Sequence, residues 1–382
     1  MGYYALGRCY LNKGNDLRVP ISGQVIGDEE KEAAHRVIDS GQFASYKLSE
    51  QFEHEFSHYV GKKYGVFVNS GSSANLLAVS AFLELNGKFH FYTPALSFPT
   101  TINPLVQTKQ EIHLLDVDSE TLLPTASSYG SMTLGNYHKY FAITDSCDAM
   151  HPGKYTGLMQ TFSFFPAHHM TTGEGGMVTT NDPDLYRTLK SLRDWGRDCY
   201  CLPGVDNTCG HRFDGDYDHK YTYSRIGYNL KATEIQAAIG IEQLKKLPGF
   251  TQTRIRNFNH LYEKLKKFEQ YFILPKSVLP DTPWFGFPLT LRDGVDFTRK
   301  DIMMFLHNKG VGSRMIFAGN ITRQPAYKDV KFIIDEPLTN TDKIHNDSFW
   351  IGSWHGLSLD QLDYSVSMIQ EFLERVDYVR SL

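Results

Sequence analysis

Between residues 64 and 180, short apolar runs recur at 64–69, 90–95, 112–117, 140–145, 160–165 and 177–180, separated by helical or loop segments. This alternation constrains the fold more than any other feature. Runs of this length suit strands, and intervening segments long enough to cross a sheet let neighbouring strands lie parallel. The expected class is a layered α/β domain with a mostly parallel sheet. Helices are expected at 28–40, closed by Gly41, and at 48–60, where Leu48, Phe52, Phe56, Tyr59 and Val60 share one face. Others follow at 74–85 and 184–195, then two long amphipathic helices at 231–247 and 251–268. From about residue 270, a β run at 285–291, a helix at 299–309, a β run at 312–317 and a last helix at 358–376 read as a smaller α/β unit. The division is thus a large domain at 1–247 and, at 248–382, a linking helix with a small C-terminal domain. A polar Cys- and Gly-rich loop at 198–222 is too long to be a mere connection.

Composition removes whole classes of function. The 382 residues carry 39 Lys and Arg against 43 Asp and Glu, a net charge of −4, without the basic excess of a nucleic-acid binder. No apolar run reaches the roughly 18 residues of a membrane span. The first residues lack the basic-then-apolar pattern of a secretory leader. Five cysteines are an odd count for a secreted disulfide scaffold, and Cys199, Cys201 and Cys209 fall within eleven residues. A cytoplasmic protein whose clustered thiols hold a metal or cluster is expected, with Cys9 outside the set.

Four segments carry residues suited to chemistry. In 69–75, Asn-Ser-Gly-Ser-Ser-Ala-Asn joins a β run to a helix, which is either a phosphate cradle at a helix N-terminus or an ordinary serine cap. In 163–176, His168 and His169 follow a proline; adjacent side chains point apart, so the two play different parts, as base, metal ligand or loop filler. In 145–149, Asp145 ends a β run where ligands gather in open α/β sheets, to hold a protonated ring nitrogen, bind a metal or cap the next element. Cys147, 52 positions before Cys199, completes a set of four thiols that suits a [2Fe–2S] cluster or a structural zinc.

These segments, together with 93–103 and 227–238, resemble in content and order the sugar aminotransferase (DegT/DnrJ/StrS) family of fold-type I, PLP-dependent enzymes, over nearly the whole chain. The resemblance implies a large domain built on a mostly parallel seven-stranded sheet. In that family a lysine that forms the Schiff base with PLP precedes Thr-Thr-Gly-Glu-Gly-Gly, and here the position is His168. An imidazole forms no aldimine, so ordinary transamination is lost while proton transfer is kept. Lys-to-His exchange resembles the mark of the sugar 3-dehydrases, which use pyridoxamine phosphate (PMP). Segments 166–169, 193–201, 204–210 and 217–223 are similar to their iron–sulfur branch, used in making 3,6-dideoxyhexoses.

That resemblance also assigns roles. Cys147, Cys199, Cys201 and Cys209 would hold a [2Fe–2S] cluster. Gly71, Ser72 and Ser163 would hold the cofactor phosphate, with Asn229 reaching in from a second subunit. Phe98 would stack on the pyridine ring, Asp145 would pair with its nitrogen, Asp148 would lie near it, and His168 would remove a proton. The implied protein is a homodimer acting on a nucleotide-linked 4-keto-6-deoxyhexose, CDP-linked by preference, with a separate NAD(P)H-dependent reductase as electron donor. Two alternatives stand beside it: a cluster-free PMP 3-dehydratase, and a non-catalytic sugar-nucleotide-binding homologue. The four cysteines speak against the first, and retention of Asp145, Phe98 and Ser163 against the second. Stretches 84–92 and 151–157 are shorter than the family pattern.

Overall fold

The computed structural model describes residues 18–124, 141–150, 157–201, 205, 207–212, 214–277 and 281–381. Cys9 and most of the short stretch at 151–157 lie outside them. The chain separates into two compact units, one made of residues 26–89 and 139–248, the other of 1–25, 90–138 and 249–382. Both units are discontinuous, because 90–138 groups with the C-terminal residues.

The first unit opens with helix α1 (Asp28–Ser40), which Gly41 ends in the left-handed region at φ 68°, with its N–H on the Ile38 carbonyl. Helix α2 (Lys47–Tyr59) has no side-chain cap of its own. Its first-turn amides bond instead to buried Glu234, which accepts from the Tyr46, Leu48 and Ser49 N–H groups at 2.6, 2.8 and 2.9 Å. Next come strand β1 (Tyr64–Val68), helix α3 (Gly71–Asn86), strands β4 (Phe141–Asp145), β5 (Gly157–Ser163) and β6 (Gly176–Thr180), and helix α5 (Pro183–Arg193). The strand order is β1-β6-β5-β4, with β4 parallel to β5 and the other two pairs antiparallel. Residues 164–175 hold no helix, so β5 returns directly into β6 and the two must run antiparallel. Phe52, Phe56, Phe67, Phe162 and Phe164 pack edge-on or tilted beneath the sheet at centroid separations of 5.0 to 6.2 Å. Within this core Arg193 is buried, donating to Glu53 at 2.6 Å and to the Phe67 carbonyl at 3.0 Å.

In the second unit, strands β2 (His90–Pro94), β3 (Glu111–Leu115) and β10 (Ile333–Ile334) form a parallel sheet in the order β10-β3-β2. Helix α4 (Pro99–Gln107) joins β2 to β3. It was not expected from sequence; Pro99 sits at its first turn, where proline's fixed φ is compatible with a helix and its missing N–H costs nothing. Strands β7 (Phe272–Ile273), β8 (Phe287–Leu291), β9 (Ser313–Met315) and β11 (Ser348–Ile351) make an antiparallel sheet in the order β7-β8-β11-β9. Helices α7 (Arg299–Asn308), α8 (Thr339–Asp347) and α9 (Leu359–Ser381) complete the unit. Its core includes Phe258, Leu261, Phe287, Phe349, Ile302, Leu362 and Ile369.

The two helices expected at 231–247 and 251–268 are one, α6 (Glu234–Leu265), running through Pro248 and followed by a 3₁₀ turn at Lys266–Phe268. Proline removes one hydrogen bond and crowds the turn before it. Here Leu244 and Leu247 are buried in one unit and Phe258, Leu261 and Leu265 in the other, so both halves are pinned by packing. Among the described residues no helix is long and apolar enough to cross a membrane.

Candidate active site

After β1 the chain turns through Asn69 and Ser70 into α3. Ser70 caps the helix, its Oγ accepting from the Ser73 N–H at 3.1 Å. Gly71, at the first helical position, lies so close to the end of β5 that an added Cβ would stand 2.5 Å from the Ser163 Cβ and 3.0 Å from its Oγ. Only glycine lets the helix start and the serine meet in this way. The start of α3 and the Ser163 hydroxyl thus share a corner where the helix dipole favours an anion, with Ser72 the next residue along the helix. Asn229 precedes Leu230, whose carbonyl accepts from the Asn69 N–H at 2.9 Å. The Asn229 side chain is exposed and accepts from Lys231 Nζ at 2.8 Å.

Asp145 ends β4 with its carboxylate held in place and solvent-accessible. Fully buried Thr161 donates its hydroxyl to Asn75 Oδ1 at 2.6 Å, and Asn75 Nδ2 donates to Asp145 Oδ2 at 2.8 Å. The Cys147 N–H reaches the other oxygen at 3.2 Å. A carboxylate fixed through two buried partners can meet a cationic ring nitrogen without reorganising.

His168 lies in the turn between β5 and β6. That turn is tied by the Thr172 N–H to the Phe164 carbonyl (3.0 Å), the Thr171 hydroxyl to the same carbonyl (2.9 Å) and the His168 N–H to the Phe165 carbonyl (3.0 Å). The imidazole Nδ1 stands 3.4 Å from Asp148 Oδ1, with the exposed Phe165 ring edge-on at 6.5 Å. His169 is fully buried, so the two histidines differ in setting as their adjacency requires. Phe98, in the other unit, precedes α4 and leaves half its surface exposed, its ring edge-on to Phe317 at 6.4 Å.

The long loop is closed at its neck by the Arg197–Tyr223 bridge and by the Asp198 N–H on the Thr222 carbonyl at 2.9 Å. Inside it, Cys201 and Cys209 sulfurs are 3.2 Å apart. Ligand atoms of Cys199, Cys209 and His219 lie within 4.8 Å of one another. Cys147 is not in that group; it sits beside Asp145 and Asp148, where burial, reinforced by both carboxylates, pushes its thiol well above the ordinary value. Burial raises Cys199 to about 11. Burial opposes ionisation of Cys201 too, but hydrogen bonds from Thr208, Cys209 and Cys199 outweigh it and draw that thiol down to about 6. Three of the four expected ligands therefore come together, one predisposed to the thiolate a soft metal needs. That donor set fits a thiolate-bound centre.

Sequence reasoning missed Asn75 and Thr161 as supports of Asp145, the pairing of Asp148 with His168, and His219. Asn75 closed the first motif and His219 lay in a noted segment, so only their partners were hidden.

The mixed sheet, the helix N-terminus lodged against a serine and the buttressed carboxylate at a strand end define a fold-type I PLP-transferase architecture. A profile of the DegT/DnrJ/EryC1/StrS aminotransferase family matches residues 24–131 and 132–370, and the chain belongs to that family. It is 39% identical to the lipopolysaccharide biosynthesis protein RfbH of Salmonella typhimurium, covering 93% of this chain and 91% of that protein. It is 38% identical to the dTDP-4-dehydro-2,6-dideoxy-D-glucose 3-dehydratase of Saccharopolyspora spinosa, over 93% of this chain and 86% of the relative. Among solved structures, the E. coli GDP-4-keto-6-deoxy-D-mannose-3-dehydratase with bound hydrated PLP superposes with a TM-score of 0.82 at 27% identity, covering 92% of this chain and 99% of that one.

Proposed function

We propose that the protein is a PMP-dependent 3-dehydratase that removes the 3-hydroxyl of a nucleotide-linked 4-keto-6-deoxyhexose, with a [2Fe–2S] cluster at its cysteine set. The observation that carries this reading is His168, standing where relatives of the family carry lysine and lying against Asp148. It is supported by relatives named as sugar 3-dehydratases. PMP, when bound, supplies the amine that engages the keto carbon and a ring that accepts electron density. Gly71, Ser72 and Ser163 would hold its phosphate, Asn229 of a second subunit would add a contact, Phe98 would pack against the ring, and Asp145 would pair with the ring nitrogen. Asp148, 3.4 Å from Nδ1, would favour the tautomer protonated there and leave His168 Nε2 to accept a proton; general-base catalysis of this kind contributes about 10²- to 10⁴-fold. Cys199, Cys201 and Cys209, with Cys147 as the fourth ligand, would hold the cluster, which would supply one-electron chemistry fed by a separate reductase. A CDP-linked sugar is the first substrate to assay, beside the GDP- and dTDP-linked sugars.

His168→Asn tests the assignment. The variant should bind PMP with unchanged absorbance and release the substrate unaltered; turnover at the wild-type rate would refute the role of His168. Iron and acid-labile sulfide in anaerobically purified protein should each reach about two per chain. Zinc, or no metal, would remove the cluster and leave a cluster-free dehydratase.

A further inference from the structure

We propose that His90, Glu111 and His113 form a binding site for a divalent cation of the zinc class, with Asp335 as the outer partner of His113. The site is independent of the function proposed above. All four residues belong to the unit of the antiparallel sheet, and the loop thiols belong to the other.

Strand register assembles it. His90 on β2 pairs directly with Glu111 on β3, and Glu111 and His113, two residues apart, share one face of that strand. β10 pairs alongside β3, Ile333 opposite His113, and Asp335 follows it. Three donor atoms result: His90 Nδ1 is 2.5 Å and His113 Nε2 3.1 Å from the same oxygen, Glu111 Oε1, and all lie within 4.8 Å of one another. Tetrahedral coordination with metal bonds of about 2.0–2.2 Å sets donor atoms about 3.3 Å apart. The His113–Glu111 edge already has nearly that length. The His90 edge must open by several tenths of an ångström, which its largely exposed side chain (62%) permits.

The fourth residue separates this group from a casual surface ion pair. His113 offers Nε2 to the group while Asp335 Oδ2 holds its Nδ1 at 3.0 Å, and Tyr92 stacks on the ring at 4.4 Å. A carboxylate behind a ligating imidazole fixes the tautomer and strengthens the donor. Two imidazole nitrogens, His90 Nδ1 and His113 Nε2, converge on the one oxygen Glu111 Oε1, so a cation placed among them meets three donors at once. Two nitrogens and one oxygen suit zinc, cobalt or nickel, whereas magnesium and calcium prefer all-oxygen shells.

The test titrates full-length protein, as purified, with Zn²⁺ and Co²⁺ by calorimetry and absorbance, comparing wild type with His90→Gln, Glu111→Gln and Asp335→Asn. Wild type should take up about one more ion per chain than His90→Gln or Glu111→Gln. The extra cobalt should show the visible d–d bands of a tetrahedral site without thiolate charge transfer. Asp335→Asn should weaken that uptake by about 10- to 100-fold. Iron content and metal-free melting temperature should match in all four proteins, which verifies folding and leaves the proposed dehydratase function to its own assay. Equal stoichiometry and affinity in wild type and Glu111→Gln would overturn the proposal, as would cobalt uptake confined to thiolate-coloured sites.

Discussion

Gly71→Ala tests whether the corner between α3 and β5 is a phosphate cradle. The added methyl would stand 2.5 Å from the Ser163 Cβ, 3.0 Å from its Oγ and 3.1 Å from its Cα. Carbon atoms rest about 3.5–4.0 Å apart, so the neighbours must separate by about 1 Å. Ser163 cannot yield: it is 7% exposed and paired across the sheet with Gly176. The helix start must move instead. Overpacking of this kind costs about 1–3 kcal/mol, against which the better helix propensity of alanine returns less than about 1 kcal/mol. The displaced amides lose one charge-assisted hydrogen bond to the phosphate, about 1.5–3 kcal/mol, or about 10- to 150-fold in affinity. PLP and PMP binding measured by absorbance or quenching of intrinsic fluorescence, beside a urea melt, reads both quantities. Gly71→Ala with Ser163→Gly should recover stability without recovering affinity, because the clash goes but a phosphate-binding hydroxyl goes with it. Wild-type affinity in Gly71→Ala would refute the cradle.

Arg193→Met strands the carboxylates of Glu53 and Asp194, which the guanidinium meets at 2.6 and 2.8 Å, and should cost about 3–5 kcal/mol in a urea melt. A loss below about 1 kcal/mol would show that the buried network is not intact, and Glu53→Gln in the same background should restore part of the loss. Asn75→Leu removes the donor to Asp145 and leaves the Thr161 hydroxyl buried, so kcat should fall by about 10²-fold while KM changes little; unchanged kcat would deny Asp145 its dependence on that support. Burial lowers Lys231 to about 8, only partly offset by Asp194. The folded lysine releases its proton near pH 8 and the unfolded one near 10.5, so the unfolded chain binds more protons between those values. Stability should therefore gain with pH across that window relative to Lys231→Met, and parallel pH curves would contradict it.

Local chemistry made much of the fold legible. Asp28–Ser40 was readable because Gly41 supplies a left-handed stop that side-chain-bearing residues adopt reluctantly. β1 and α3 were readable because a serine–glycine turn between an apolar run and an apolar helix leaves little else. Prolines stand in both helices that differ from the sequence expectation: Pro99 and Pro104 in α4, where no helix was expected, and Pro248 in α6, where packing on either side holds one continuous helix in place of two. The antiparallel β5–β6 pair was hidden too, since apolar content does not record strand direction.

By itself the sequence determined which chemistry is available: an aspartate at a strand end, an imidazole in place of a lysine, a glycine and serines around a helix start, and thiols crowded into one loop. Each is a short-range pattern, fixed by turn geometry, caps and side-chain type within a few residues. Only the tertiary structure decided how those groups are held. Asn75 reaches Asp145 across 70 positions, Glu234 caps α2 across 185, and His219 joins two cysteines while Cys147 stays beside Asp145. Such pairings depend on which buried polar atoms find partners once the core has closed, and an unpaired buried donor or charge costs several times more than the average bond gains.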